Sequence, residues 1–460
     1  MSFQIKNITH ACLRYQINDK TIITDPWIED MPIKAGMIYR FPKKNMEIQD
    51  IVKNVDLCYI SHTHEDHFHV PSIVNFHKQT KFLIPDFSYL KKGRRGNLME
   101  DTLIALGYRN IIKLKPWEKL KFDQDTELQI IPSAKSRYFD WENSGLAVSY
   151  KSKTFLNMND NLVDSELCRE IIKNIGRIFT YFVQTAGIST HPACFKMSEE
   201  NKKKQIKNKT ENFSLHDLIV KEINPDYLIP YAGDFGWFGK HQKFSHWSRA
   251  TPMPLLNHLK NKNIKTFEFL PNDIVSIIDT ELVHEKNNKE IDWNDYQGII
   301  DKHEKFYEEI IKDNETKINN YNISNIYEYA LKYVENLNEV NKDSEVKPWF
   351  NASMAYCIFD NKISNKNFFL VVKATCEGQY NLSIEKTLTE DVHQIHYLDA
   401  KIFMSILKSD AMLNEVQWRS IIEEVKPFNT QIRDLLFYNG YHIDGDNRTP
   451  QIQLRKIYKI

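Results

Sequence analysis

Short apolar runs separated by turn residues dominate residues 1–285. Two β-hairpins are predicted, because in each case two β-rich runs flank a short turn of polar residues. The four predicted strands are residues 12–17 and 21–25, and residues 145–150 and 154–160. Each hairpin ends on an aspartate, first Asp25 and then Asp160. Two β units built alike favour two facing sheets, and residues 266–271 and 273–278 predict a last pair of strands.

The pattern changes after residue 285. Apolar residues recur three or four positions apart between Trp293 and Ile311, which predicts a helical connector over residues 286–345. Residues 346–460 return to strands and then to helices, the last of these helices at 417–425, an order typical of a small α+β domain. The chain is therefore predicted to have a large first domain, a connector and a small last domain.

Composition and charge exclude several classes of function. Hydrophobic residues make up 42% of the 460 positions, which is typical of a globular protein. Lys+Arg and Asp+Glu both number 61, so the net charge is zero and gives no overall electrostatic attraction to nucleic acid or an anionic membrane. Neither partner is expected. The chain has no signal-peptide pattern and no run of the roughly 20 apolar residues that span a bilayer, so a cytoplasmic protein is predicted. The charged stretch 199–213 is typical of a solvated helix, with a polyanion site as the alternative.

The cysteine spacing gives no support for a zinc ribbon or an iron–sulfur centre. The six cysteines form no CxxC and no Cys-x-His pattern, so no Fe–S cluster is expected in this chain and the thiols are expected to be reduced. They are Cys12, Cys58, Cys168, Cys194, Cys357 and Cys376.

The segment YISHTHEDHFH, residues 59–69, concentrates metal-ligand side chains directly after an apolar strand-like run. His62 and His64 are two positions apart, so an extended chain points both imidazoles to one side. Asp66 and His67 follow where the chain is expected to turn, and they can face a second position. Imidazole and carboxylate together suit zinc, iron or manganese. The alternative is a polar loop with solvated histidines.

The strand, the HTHEDH segment, the preceding ITDPW and the later LNMNDN resemble the metallo-β-lactamase superfamily. The resemblance implies an α/β fold, an αββα sandwich, here followed by the helical connector and the smaller α+β domain. It also implies two divalent metal ions, one held by His62 and His64, the other by Asp66 and His67, with Asp160 bridging them. Asp25 is predicted to support the cluster as an acceptor for a metal-bound histidine, and His69 either does the same or is exposed.

Within the superfamily, the order of DPW, SHTHEDHF, LNMND, FVQTAG, HPACF and INPDYLIPYAGDF is similar to the CMP-N-acetylneuraminate hydroxylases over roughly residues 5–280. That likeness implies an oxygenase, whereas the wider superfamily implies hydrolysis by a metal-activated water that Asp66 orients or deprotonates. The leading hypothesis is a metal-dependent oxygenase, with two irons favoured, that hydroxylates a small N-acyl or nucleotide-linked substrate. A hydrolase of an amide, lactone or phosphodiester is the runner-up, and a binding protein with a degenerate metal site is the third possibility.

The chain departs from the family pattern in three respects. The superfamily expects a histidine shortly before the second hairpin, where Asp140 or Glu142 could substitute. The histidine expected after the strand IPYAG is also missing, and this leaves Asp234, His241 or His246 as the candidates. The family's Rieske domain is absent from this chain, so an oxygenase would need an external electron-donor protein. Carboxylates in the vacant ligand positions would favour iron or manganese.

A substrate contact is predicted from the aromatic and basic stretch at residues 236–249. Lys240, Trp247 and Arg249 could stack on a ring and pair with anionic groups, and the alternative is a plain basic loop. The small residues Thr185-Ala186-Gly187 could admit a substrate near the metals, or they could form an ordinary tight turn.

Overall fold

The computed structural model describes most of the chain. The described residues are 2–33, 36–87, 98–134, 143–184, 189–232, 235–247, 251–289, 291–342, 352–360, 367–374, 380–389, 391–408 and 418–426. Among them, no helix combines the length and the apolarity needed to cross a bilayer.

The strands, in chain order, are β1 (Phe3–Thr9), β2 (Cys12–Ile17), β3 (Lys20–Thr24), β4 (Ile38–Arg40), β5 (Leu57–Tyr59), β6 (Lys81–Pro85), β7 (Ile111–Leu114), β8 (Lys119–Lys121), β9 (Thr126–Pro132), β10 (Ser144–Tyr150), β11 (Lys153–Asn157), β12 (Thr180–Gln184), β13 (Tyr227–Tyr231), β14 (Phe235–Trp237), β15 (Ile274–Ile278), β16 (Glu281–Glu285), β17 (Ala352–Phe359), β18 (Phe368–Ala374), β19 (Tyr380–Glu385), β20 (Gln394–Asp399) and β21 (Ile421–Glu424).

The helices are α1 (Ile48–Val52), α2 (Val70–Ile73), α3 (Leu98–Ala105), α4 (Ser165–Ile175), α5 (Thr190–Ala193), α6 (Glu199–Thr210), α7 (Ser214–Glu222), α8 (Met253–Asn261), α9 (Tyr296–Phe306), α10 (Glu308–Asn319), α11 (Ile326–Lys342) and α12 (Ala400–Leu407). A further 3₁₀ segment spans Gly239–Trp247.

Two sheets form the centre of the first part of the chain. The first sheet has the order β16-β15-β1-β2-β3-β5-β6-β7, and the second has the order β13-β12-β11-β10-β9-β8. Both predicted hairpins are present, as β2–β3 and β10–β11. Strands β3, β5, β6 and β7 run parallel, as do β11, β12 and β13, so each sheet presents a set of carboxyl ends at one edge.

A shared hydrophobic core lies between the two sheets, because alternate residues of each sheet point inward. Ile5 and Leu83 of the first sheet pack there with Leu146 and Phe155 of the second. A separate cluster joins the outer face of the first sheet to α1 and α3. Another joins the outer face of the second sheet to α4, α7 and α8. The layers are therefore helix, sheet, sheet and helix, and the predicted αββα fold class is confirmed.

The last part of the chain has its own five-stranded sheet, in the order β19-β18-β17-β20-β21. Helices α9 and α10 pack with Tyr39, Phe41 and Phe238 of the first part. Helix α11, by contrast, contributes Ala330 and Val334 to the core of the last sheet. The helical segment thus shares its apolar contacts between the two sheet systems, while the boundaries 285 and 345 stay predictions.

Two elements predicted from the pattern are wrong. Residues 266–271 form no strand, because polar side chains bind their backbone: Asn7 donates to the Phe269 carbonyl and the Leu270 N–H donates to Asp273. The helix predicted at 417–425 is replaced by β21, which pairs with β20 and forms an isolated parallel bridge between Ile422 and Phe195. Long-range backbone pairing overrides the local helical pattern there.

Candidate metal centre

The histidine-rich segment lies at the edge of the sandwich where the parallel strands end. His62 follows the end of β5, Asp25 directly follows β3, and Asp160 follows the end of β11. His10 lies in the short connection between β1 and β2. Because this edge collects the carboxyl ends of strands from both sheets, side chains that are far apart in sequence meet there.

The first donor group consists of His62, His64 and Asp160. His62 Nε2 lies 2.8 Å from His64 Nδ1. Asp160 Oδ2 lies 3.7 Å from His62 Nε2 and 3.8 Å from His64 Nδ1. His62 is buried, whereas His64 and Asp160 are half-buried. Three ligand atoms from two different sheets thus face one another at distances that a shared cation could span.

The second donor group consists of His10, Asp66 and His67, all buried. Asp66 Oδ2 lies 3.2 Å from His10 Nε2 and 3.6 Å from His67 Nε2. The His10 ring also packs edge-on against Trp27 and Phe235, at 5.6 and 5.3 Å between ring centroids. Aromatic walls therefore fix the imidazole beside the carboxylate and restrict water at this position.

Asp160 faces both donor groups. Its Oδ2 belongs to the first group, and its Oδ1 lies 3.6 Å from His67 Nε2 of the second. Both Asp160 Oδ1 and His67 Nε2 are buried without a hydrogen-bond partner among the described residues. Buried polar atoms are nearly always satisfied, so two that face each other without a partner fit a cation that both would bind. The residues present therefore suit a pair of divalent metal ions.

The charges of the centre are strongly coupled. Burial alone would lower the pKa of His67, but Asp160, Asp66 and Asp25 together raise it well above its ordinary value. Burial, with His67 and His64 nearby, lowers the pKa of His62 well below its ordinary value. The cluster of carboxylates thus attracts positive charge, and a proton on His67 and a metal ion compete for the same position.

Asp25 and Ser61 form a hydrogen-bonded network that contacts the histidine cluster. Asp25 Oδ1 accepts from the Ser61 N–H at 2.8 Å, and Oδ2 accepts from Ser61 Oγ at 2.9 Å. The same Oδ2 lies 3.1 Å from His67 Nδ1, so the opposite nitrogen of that ring faces Asp160 and Asp66. Ser144 Oγ donates to the Ser61 carbonyl at 2.9 Å and ties the second sheet to the cluster. Asp25 thus contacts a histidine of the cluster, and its support of a metal-bound ring stays a prediction.

His69 is buried and contacts helix α2, which follows the cluster. Its Nδ1 lies 2.6 Å from Ser72 Oγ, and its ring lies beside Trp27 at 5.9 Å between centroids. Burial and the nearby Arg40 lower the pKa of His69 to about 3, so the ring is neutral at pH 7. Of the two alternatives for His69, exposure is excluded, and the metal-supporting role stays a prediction.

Several predicted site residues lie outside the described residues. These are Asp140, Glu142, Asp234, Arg249 and the segment 185–188 that contains Thr185, Ala186 and Gly187. Neither donor group formed by the described residues contains His241 or His246. His241 instead stacks on Phe244 at 5.5 Å between centroids, and burial, with Arg419 and Lys240 nearby, lowers its pKa to about 3.

Lys240 and Trp247 lie at opposite ends of the 3₁₀ segment. The Lys240 N–H donates to Glu315 of α10 at 3.3 Å. The Lys202 ammonium of α6 lies 5.7 Å from the Trp247 ring centroid. The structure thus shows contacts to neighbouring helices for both residues, and their substrate role stays a prediction.

Sequence reasoning missed His10. Its backbone has a positive φ of 44°, which is uncommon for a residue other than glycine and often marks a functional position. The one signal available in the sequence was a histidine in the tight connection of a hairpin-like pair of strands. That signal is weak by itself, because His10 and Asp66 are separated by 56 positions.

Comparison with known proteins finds similarity over the part of the chain that contains the two donor groups. The family model described as "Beta-lactamase superfamily domain" matches residues 4–160, a stretch that contains both donor groups. The chain is 24% identical over 241 residues to the cytidine monophosphate-N-acetylneuraminic acid hydroxylase of Xenopus laevis. The aligned region covers 50% of this chain and 38% of the relative. The chain spans less than half the length of the first curated relatives it matches.

Two solved structures match part of this chain at low similarity. The metallo hydrolase Igni18 of Ignicoccus hospitalis has a TM-score of 0.41 and 16% identity, covering 63% of this chain and 100% of that one. CmlA, a diiron beta-hydroxylase of Streptomyces venezuelae, has a TM-score of 0.41 and 15% identity, and the match covers 60% of this chain and 54% of that one. The resemblance to the metallo-β-lactamase superfamily and to its hydroxylase-like members is confirmed.

Proposed function

We propose that this chain, whose residues 4–160 match the model of a β-lactamase superfamily domain, is a metal-dependent oxygenase that holds two metal ions, iron favoured. Its substrate in this proposal is a small N-acyl or nucleotide-linked molecule, and its electrons come from a separate protein. Zinc or manganese is possible in place of iron.

The observation that carries the proposal is the position of Asp160 between two donor groups. One carboxylate that turns one oxygen to His62 and His64 and the other to His67 is the arrangement expected of a bridging ligand. His62, His64 and Asp160 would hold the first ion, and His10, Asp66 and His67 the second, with Asp160 shared. Histidine nitrogens and carboxylate oxygens mixed in this way suit iron, manganese and zinc.

The residues around the ions have separate tasks. Asp25 fixes the His67 ring so that its Nε2 faces the centre. Asp66 stays ionised: burial by itself raises its pKa, but His67 and His10 outweigh burial and hold the pKa well below the usual range. Trp27 and Phe235 flank His10 and limit water near the second position. When bound, two irons would supply the redox chemistry that hydroxylation requires.

The preference for oxygenase chemistry is supported by the sequence likeness to the hydroxylases. The relative's printed activity concerns a cytidine monophosphate-linked sugar acid, and this chain covers only part of that protein, so the substrate class is part of the proposal.

A hydrolase is the second candidate, because the mixed histidine and carboxylate donors suit zinc as well as iron. Hydrolysis also needs no electron donor. In that case bound metal ions would supply a water molecule of lowered pKa, and Asp66 would orient that water or accept its proton.

Anaerobic purification followed by elemental analysis and Mössbauer spectroscopy separates the candidates. Two irons per chain that are oxidised by oxygen support the oxygenase, and two tightly held zinc ions support the hydrolase. A chain without stoichiometric metal would overturn both and leave a binding protein.

The ligand assignment is tested with His64→Ala, which should lose the ion of the first donor group. His77→Ala is the matched control, because His77 is exposed and belongs to neither group. Full metal content in His64→Ala would contradict the assignment.

A further inference from the structure

A cavity of about 320 Å³ lies on the other side of the turn that carries Asp160. Met158, Asn159 and Asn161 line it, so the chain segment that forms one wall of the metal centre also forms a wall of this cavity. The opposite wall comes from α7 and the end of α6. Its volume lies within the range of small-ligand pockets, which begins at about 300 Å³.

The turn between the centre and the cavity is rigid. The Asn161 N–H donates to the Met158 carbonyl at 2.8 Å, and the Asn161 side-chain amide donates to the Pro132 carbonyl at 2.9 Å. Gln184, the last residue of β12, also lines the cavity. Since β11 and β12 are parallel, the cavity opens at the same edge of the sheet as the metal centre.

His216 of α7 is the feature of this cavity that fits a ligand. Both of its ring nitrogens are buried, and neither has a hydrogen-bond partner among the described residues. Its neighbour Asp217 is engaged elsewhere, with His258 and Lys262, each at 2.7 Å. Two unsatisfied buried ring nitrogens are costly, so a partner inside the cavity is expected.

The rest of the lining indicates the chemistry of that partner. Phe213, Tyr181, Val183 and Leu162 supply an apolar surface, and Lys209 is the one charged residue among the described lining residues. The imidazole of His216 can donate through one nitrogen and accept through the other while it is neutral. A ligand with a compact apolar body would pack against the apolar residues, and one uncharged polar group on it would hydrogen-bond His216.

We propose that this cavity binds an uncharged part of the substrate, a ring or branched chain carrying an amide or hydroxyl group that hydrogen-bonds His216. Only the identification of the ligand as the substrate rests on the proposed function. The cavity and His216 exist independently of the metal chemistry. The shared turn at Asn159–Asn161 would then place the adjoining part of the same molecule beside Asp160.

Binding is measured on the 460-residue chain as purified, labelled with ¹⁵N-histidine, by recording the ring-nitrogen resonances during titration. The probes are acetanilide, 4-methylphenol and cyclohexanecarboxamide, with benzoate and benzylamine as charged comparators. The neutral probes should shift the His216 resonances and bind more tightly than the charged ones. By isothermal titration calorimetry, which does not depend on the His216 signal, His216→Phe keeps an aromatic side chain but removes both nitrogens and should weaken binding of the best neutral probe by about tenfold, the equivalent of one hydrogen bond.

Leu162→Trp provides a second test, because it fills the cavity while His216 itself is retained, and it should abolish binding. His77→Phe, a change of the same kind at an exposed histidine outside the cavity, should leave binding unchanged. If no neutral probe shifts His216, or if Leu162→Trp binds as well as the unaltered chain, the cavity is not a ligand site. Metal content, measured separately, decides the proposed function whichever way this result falls.

Discussion

Asp25→Asn probes the support of the metal centre with almost no change in shape. In the native chain one carboxylate faces three donors: the Ser61 N–H, the Ser61 hydroxyl and His67 Nδ1, at 2.8, 2.9 and 3.1 Å. An amide can keep its oxygen toward the Ser61 N–H, and its NH₂ group then faces the other two. The hydroxyl can turn toward His62 Nδ1, which is 2.9 Å away. The alternative acceptor for the His67 Nδ1–H is then the Ser61 hydroxyl oxygen at 3.4 Å, which makes only a long and weak hydrogen bond.

The expected magnitude follows from this conflict. A buried donor left unsatisfied costs about 1–3 kcal/mol in the free energy of unfolding. Loss of the group that orients a metal-bound histidine costs about 10–100-fold in metal affinity, or about 1.4–2.7 kcal/mol. The loss should fall on the donor group of His67, because Asp25 contacts that ring directly. The donor group of His62 and His64 should keep its affinity to within a few-fold.

The assay is a titration of metal-free protein with Zn²⁺ or Fe²⁺ against a competing chelator, with elemental analysis of the metal bound. Asp273→Asn is the matched control, because Asp273 is also a buried aspartate that contacts a histidine, His284 at 3.2 Å, and belongs to neither donor group. It should lower stability without changing metal affinity. If Asp25→Asn binds two ions as tightly as the native chain, Asp25 does not support the centre and the reasoning fails.

Three further outcomes are expected. His10→Ala should weaken the second metal position by about tenfold or more, measured by competitive titration, because Asp66 loses the imidazole 3.2 Å from its Oδ2; equal affinities at that position would exclude His10 from the donor group. Chelation should lower the melting temperature, since an ion at 100 times its Kd contributes about 2.7 kcal/mol, and unchanged melting would exclude a tightly held ion. Acid should destabilise the fold through His216: burial lowers its native pKa to about 4 from 6.5, so the unfolded chain takes up a proton first as the pH falls below about 6.5. The stability contributed by neutral His216 is complete above that pH, and about 3 kcal/mol is lost by pH 4. Denaturant titrations at several pH values should show this loss, and His216→Phe should reduce it.

The part of the site that lies in one short segment could be predicted from the sequence. His62, His64, Asp66 and His67 fall within six consecutive residues after a buried strand, so local geometry alone aims them at one edge. Asp160 required the additional prediction that a second, similar hairpin faces the first.

The remaining features depend on contacts between distant residues. His10 reaches Asp66 only because the connection between β1 and β2 lies at the same edge as the carboxyl end of β5. The strand β21 forms where the amphipathic pattern of residues 417–425 predicts a helix, because Ile422 exchanges backbone hydrogen bonds with Cys194 and Lys196. No spacing within either segment contains that information.

The sequence by itself determined the chemistry of this protein: which imidazoles and carboxylates are available, the two-sheet pattern that carries them, and the short segment in which most of them occur. Only the tertiary structure decided how they are combined. The register of the sheets and the packing of their connections turn the two oxygens of Asp160 toward two different groups, bring His10 into the second group, and leave His216 facing a cavity behind the same turn. These arrangements arise from long-range pairing and burial, which the spacing of residues along a chain does not encode.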